Sequence, residues 1–241
     1  MINRLEAVEG VFGYRQRRAN KSVLTAERLI FESGDFCVLY GRNGAGKSTV
    51  LRTLAALQLP LSGTVLWNGE DRRCFSPARS ALVSAVVLTG FPSMGLFTAF
   101  ETAALGRAPY TGRCGRLSAA DVETVNTALK AADALTLKDR VFDSLSDGEK
   151  QKVMTARALA QETPLLLLDE PTSFLDYESK RSFFRLLADC ARQRGKIVIV
   201  SSHDLIYAAE ENPRWIFCGG EGGEIEEKTP DIRSALFSDK N

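Results

Sequence analysis

Residues Gly41-Arg42-Asn43-Gly44-Ala45-Gly46-Lys47-Ser48 fit the pattern G-x-x-x-x-G-K-[ST]. Glycines at this spacing let successive backbone N–H groups turn inward around phosphate oxygens, while the lysine reaches the outer phosphates and the hydroxyl meets Mg²⁺. Such a turn works only between a strand and a helix. Phe36-Cys37-Val38-Leu39-Tyr40 reads as a short buried strand entering it, and the apolar spacing from Thr49 to Ala56 predicts a helix leaving it. A helix beginning near Lys47 directs unpaired N–H groups and a positive dipole end at a bound phosphate. A glycine-rich turn without a ligand is the competing reading, and the strand and helix on either side count against it.

Two later segments supply the chemistry that a bound triphosphate needs. Leu165 to Leu168 suit a parallel strand buried on both faces, so Asp169-Glu170 falls where that strand emerges at its carboxyl end. Asp169 is expected in the Mg²⁺ shell with Ser48, and Glu170 is expected to polarise the attacking water. An acidic pair can also simply end a strand; here it precedes Pro171-Thr172 and follows a phosphate turn. His203, the single histidine of the chain, follows the apolar run Ile197-Val198-Ile199-Val200-Ser201-Ser202. A lone histidine is often structural. Placed after the next strand, its imidazole could hydrogen-bond the γ-phosphate and tie it to Glu170. The chain is therefore expected to bind and hydrolyse ATP.

With Leu145-Ser146-Asp147-Gly148-Glu149 between these segments, the chain resembles the nucleotide-binding subunits of ABC transporters, whose signature is L-S-G-G-Q. The resemblance runs from about residue 5 to about residue 227. It implies an α/β phosphate-loop ATPase with a mainly parallel sheet core, an N-terminal antiparallel β portion and a helical subdomain. It implies two copies stacked head to tail, Ser146 and Gly148 of one covering the ATP held by Gly41 to Thr49 of the other. Hydrolysis would then require a dimer. Tyr14 takes the position of the aromatic that stacks on adenine, although an ordinary strand aromatic is the alternative. Asp176, in Ser173-Phe174-Leu175-Asp176, matches the position that organises the dimer interface.

Thr89 stands, by spacing to Gly106-Arg107, where relatives carry a glutamine that reaches the metal and the attacking water; no glutamine lies between Gln58 and Gln151. A threonine side chain is shorter and lacks the amide. Intact ATP binding with slower or differently coupled turnover is expected. Asp147 brings a carboxylate to a phosphate-facing helix end and is expected to weaken the closed dimer.

The chain of 241 residues divides on pattern into a single ATPase domain: 1–88 and 161–241 as the nucleotide-binding core, and about 89–160 as the helical subdomain. Ser118-Ala119-Ala120-Asp121 resembles a capping box ahead of Val122, Val125, Leu129 and Ala132, and a further helix is expected from Tyr177 to Arg192. The segment Ala104 to Tyr110, with Arg116-Leu117-Ser118 and Asp121, resembles the branch that serves importers of iron chelates, haem and cobalamin. Gly106 and Pro109 also read simply as a helix end.

No apolar run approaches the ~18–20 residues that span a bilayer, and Met1 to Glu6 is no signal peptide. The resemblance thus implies a subunit on the cytoplasmic face of the inner membrane, held by integral-membrane permease subunits and served by an external substrate-binding protein. A formal charge of +1 argues against a nucleic-acid binder. Arg15, Arg17, Arg18 and Lys21 read as a solvated loop, with contact to nucleotide as the lesser reading. Five cysteines without C-x-x-C pairing favour reduced thiols and no zinc site. A soluble, non-transport ABC ATPase or a slowly hydrolysing regulatory cassette is the alternative function.

Overall fold

The fully apolar segments form the interior of one sheet, and the segments with mixed patterning form a second. The computed structural model describes residues 2–14, 21–112, 115–219 and 223–231; Arg15, Arg17, Arg18 and Cys114 lie outside them. Strands β1 (Arg4–Tyr14), β2 (Lys21–Glu32), β4 (Ser62–Trp67) and β5 (Glu70–Asp71) form an antiparallel sheet in the order β2-β1-β4-β5. Strands β3 (Phe36–Tyr40), β6 (Ser84–Val87), β7 (Leu165–Asp169), β8 (Ile197–Ser201), β9 (Arg214–Cys218) and β10 (Ile225–Glu227) form the other, in the order β10-β9-β3-β8-β7-β6. It is parallel except where β10 joins β9.

Every residue of β3, β7 and β8 is buried, because successive side chains feed two different cores. Leu165, Leu167, Cys37, Leu39, Ile197 and Ile199 face the core shared with the antiparallel sheet. Leu166, Leu168, Val38, Val198 and Val200 face the opposite core, which is built mainly from helices. Each such leucine contributes about 1.5–3 kcal/mol relative to an exposed one.

The phosphate-turn helix α1 (Lys47–Leu54) lies on the antiparallel-sheet side, where Val50, Leu51 and Leu54 are fully buried. Helix α2 (Pro77–Val83) leads into β6, and α3 (Ala99–Ala104), α4 (Ala119–Ala131) and α5 (Asp147–Ala160) fill the stretch between β6 and β7. Helix α6 (Tyr177–Arg192) connects β7 to β8 and buries Phe183, Phe184, Leu187, Ala188 and Ala191. A short α7 (Leu205–Ala209) leads to β9. No helix of the described residues is long and apolar enough to cross a membrane. Cys37, Cys74, Cys190 and Cys218 are free thiols. Burial pushes the Cys218 thiol up to about 12, which keeps it protonated and unreactive.

Helix α4 begins with the expected box: Ser118 Oγ accepts from the Asp121 N–H, and the Asp121 carboxylate accepts from the Ser118 N–H and hydroxyl. That carboxylate also accepts from Arg107 Nε at 2.8 Å, while Arg107 Nη1 donates to the Ala160 carbonyl and to Glu162. Ser118, with Arg107 beyond it, holds the Asp121 carboxyl down at about 2. A depressed folded pKa stabilises above the ordinary carboxylate range, and the contribution disappears as pH falls from about 4 towards 2. Thermal melts over that window should show an acid-side loss of stability that Asp121→Asn makes shallower. An unchanged slope would place the titration elsewhere.

Candidate active site at the carboxyl edge of the parallel sheet

Strand order brings the three sequence segments together. β8 lies between β3 and β7, so the loops leaving all three emerge side by side at the carboxyl edge. Ser201 is in register with both Asp169 and Leu39, and the Ser202 N–H donates to the Leu39 carbonyl. The phosphate turn is thereby brought to the Asp-Glu pair and His203, both more than a hundred residues further along the chain.

Gly46 immediately precedes α1 with φ 102°, and a Cβ there would stand 2.5 Å from Val23 Cγ1. Only glycine meets both the backbone angle and the clearance. Lys47 is 6% exposed, and its ammonium folds back into the turn to donate to the Gly41 carbonyl at 3.1 Å, with the Arg42 carbonyl at 3.5 Å. The Ala45 N–H closes the turn onto Arg42. Asn43, Gly44, Gly46, Lys47, Ser48, Thr49, Tyr14 and Glu170 line one open cleft of about 480 Å³. Tyr14, half exposed at the end of β1, is tied to α1 by a 2.6 Å hydrogen bond between its hydroxyl and that of Thr49. Lys21, the one residue of the basic cluster that is described, is exposed and lines the same cleft with Ser22 and Val23.

Asp169 is 1% exposed at the end of β7. Its Oδ1 accepts from Ser201 Oγ at 2.7 Å, and its Oδ2 is buried with no hydrogen-bond partner. A buried, unpartnered carboxylate oxygen is costly unless something electropositive meets it. With the Ser48 hydroxyl lining the adjoining cleft, this all-oxygen donor set fits Mg²⁺, which prefers one or two protein oxygens completed by phosphates and water. Among the described residues no group of three or more His, Cys, Asp or Glu forms a metal cluster of any other kind.

Glu170 has φ 47°, a left-handed conformation that costs a non-glycine residue about 1 kcal/mol or more. Ser201 holds it there, because the Glu170 N–H donates to both the Ser201 carbonyl and the Ser201 hydroxyl. Ser201 therefore aims the Asp169 carboxylate and fixes the Glu170 backbone at once. In the sequence Ser201 reads only as part of a strand; a serine ending an apolar strand is the one available signal.

His203 Nε2 lies 2.9 Å from Lys47 Nζ and 3.2 Å from Glu170 Oε1. An ammonium only donates, so Nε2 faces the Lys47 ammonium as an acceptor. Glu170 Oε1, which also lies 3.6 Å from Lys47 Nζ, is buried with no hydrogen-bond partner among the described residues. The result is a carboxylate oxygen with an open lone pair between a cation and an imidazole.

The remaining predicted residues lie elsewhere. Thr89 is exposed on a bend beyond β6, outside the residues lining the cleft. Ser146 caps α5, and its N–H donates to Glu149 Oε2 at 2.8 Å in a full capping box whose carboxylate also pairs with Arg140. In this capping box Glu149 occupies the Ser146 amide, leaving the Ser146 hydroxyl and the first-turn N–H of Gly148 at the helix start. A Cβ on Gly148 would stand 2.8 Å from the Phe174 carbonyl, so the signature helix is packed directly on the loop that follows Glu170. Asp147 is largely exposed, 3.7 Å from Lys150. Asp176 caps α6 by accepting from the Ser179 N–H.

Fold and site together define a nucleotide-binding cassette. Residues 24–173 match the ABC transporter family, and the chain belongs to that family. It is 43% identical over 193 residues to the hemin import ATP-binding protein HmuV of Nocardia farcinica, covering 78% of this chain and 65% of that protein. It is 37% identical over 187 residues to the achromobactin transport ATP-binding protein CbrD of Dickeya dadantii, covering 78% and 70%. An uncharacterised ABC transporter ATP-binding protein of Methanocaldococcus jannaschii is 40% identical over 186 residues, covering 77% of this chain and 64% of its own length. Among solved structures, a dimeric bacterial ABC transporter cassette superposes with TM-score 0.82 at 26% identity, over 92% of this chain and 96% of that one. A post-hydrolysis cassette bound to ADP and Pi superposes with TM-score 0.81 at 25% identity, over 94% and 99%.

Proposed function

We propose that this chain is the ATP-binding and hydrolysing subunit of an ABC transporter that imports an iron chelate, haem or cobalamin. The observation that carries the ATPase reading is the convergence of Lys47, Glu170 and His203 within 3.6 Å beside the phosphate turn. Backbone N–H groups from Gly41 to Thr49 and the Lys47 ammonium hold the phosphates, with Tyr14 as the adenine platform. Ser48 and Asp169 would hold Mg²⁺, which neutralises phosphate charge when bound. Glu170, whose Oε1 is free to accept, takes the proton from the attacking water. His203 contacts the γ-phosphate and keeps it aligned with Glu170. The Ser146 hydroxyl and Gly148 N–H of a second copy close the site, so two subunits act as a head-to-tail homodimer.

The importer reading rests on relatives named for hemin import and achromobactin transport, and on the Arg107–Asp121 pair within the segment that resembles that branch. Residues 89–160 form the helical subdomain that meets the permease, which keeps the subunit on the cytoplasmic face of the membrane. An external binding protein delivers the cargo, and nucleic acid plays no part. Co-purification with an integral-membrane partner, followed by ATPase assays in lipid with ferric chelates, haem and cobalamin plus the matching binding proteins, tests this. One cargo class should stimulate turnover. Turnover indifferent to all three would leave an ATPase of another transport branch.

A further inference from the structure

We infer that Asp204 is a positioning residue for hydrolysis: through Thr172 and Lys180 it clamps the loop carrying Glu170 to the loop carrying His203. The inference rests on the ATPase reading above, and the contacts that carry it lie outside the nucleotide cleft. Thr172 is fully buried two residues beyond Glu170, and its hydroxyl donates to Asp204 Oδ2 at 2.6 Å. Lys180, on α6, donates to the other oxygen, Asp204 Oδ1, at 2.7 Å. The Asp204 N–H donates to Ser202 Oγ at 2.9 Å, and Ser202 Oγ is 3.4 Å from the Thr172 hydroxyl. One carboxylate immediately after His203 thus joins the loop after β7, the loop after β8 and helix α6.

The geometry leaves little room for substitution. Both Asp204 oxygens accept, and each faces a donor from a different element. An asparagine has one acceptor oxygen and no charge: its oxygen must take Lys180 and its NH₂ the Thr172 hydroxyl, so both contacts lose their charge assistance and the Thr172 bond must reverse. The clamp sits within two residues of both reacting side chains. It therefore sets the 3.2 Å separation of His203 Nε2 from Glu170 Oε1. Ser201 fixes the backbone of Glu170 from the strand side, whereas Asp204 fixes the far side of the same loop. Neither Thr172 nor Asp204 is among the residues lining the nucleotide cleft, so binding and rate should separate.

The test is steady-state ATPase and Mg·ATP affinity of the full chain carrying Thr172→Val, Thr172→Ser, Asp204→Asn or both Thr172→Val and Asp204→Asn. Displacement of a reacting group by about 1 Å lowers rates on the order of 100-fold, so Thr172→Val and Asp204→Asn should each lose about 10- to 100-fold in kcat. KM for ATP and nucleotide affinity should hold. Thr172→Ser keeps the hydroxyl and should recover most of the rate, and the double variant should be no slower than the slower single one. Parent-like kcat in Thr172→Val, equal losses in kcat and affinity, or Thr172→Ser as slow as Thr172→Val would each overturn the clamp. Should Asp204→Asn fail to fold, the valine and serine pair at 172 still decides. Absence of turnover in the parent chain would instead overturn the ATPase reading, and the clamp with it.

Discussion

Glu170→Gln is expected to bind ATP as tightly as the parent chain, lose about 10²–10⁴-fold in turnover and accumulate as an ATP-bound dimer. The substitution preserves shape. The backbone contacts that hold residue 170 at φ 47°, the N–H to the Ser201 carbonyl and hydroxyl, involve no side-chain atom of residue 170 and survive. What disappears is the one oxygen in the trio with an open lone pair and a negative charge to take up a proton. An amide has negligible basicity, so water attack slows while the phosphate contacts of the turn persist. Single-turnover assays and size-exclusion chromatography with Mg·ATP would check both halves. Near-parent hydrolysis would move the base to another group; loss of binding would mean that the carboxylate serves affinity instead.

Lys47→Ala should show the opposite pattern, with affinity itself lost. A hydrogen bond from an ammonium to an anionic oxygen contributes about 1.5–3 kcal/mol, so Kd for ATP should rise about tenfold to a hundredfold. Lys47 is almost wholly buried and braces the turn through the Gly41 carbonyl while reaching His203 Nε2. Removing it thus deprives the phosphates of their cation and the histidine of its donor. Titration by calorimetry or a fluorescent nucleotide analogue gives the number directly. Unchanged Kd would show that the backbone amides alone account for phosphate affinity.

Much of this site is legible in sequence because its parts obey local rules. The phosphate turn needs glycines at set positions, buried parallel strands must be apolar on both faces, and helix starts carry caps; Ser118-Asp121 forms the reciprocal pair that its spacing implies. Ser146 shows where locality stops: its resemblance to the family signature points outward to a phosphate, and only the structure shows the glutamate three residues on turning back onto its amide. Thr89 marks a different limit: spacing located the position but said nothing of the side chain's surroundings, and the structure leaves it exposed away from the cleft.

Residue order alone determined the elements and the chemical types at their ends: a cation and amides after β3, carboxylates after β7, an imidazole after β8. Tertiary structure decided which ends meet. That β8 inserts between β3 and β7 depends on how two cores fill around the sheet, a property of the whole chain that no local window contains. From that insertion follow the hydroxyl of Ser201 between Asp169 and Glu170, the contact of His203 with Lys47, and the Asp204 clamp on Thr172. Each joins residues roughly thirty or more positions apart. Hydrogen bonds act over about 3 Å, so only the folded arrangement of strands can select such partners.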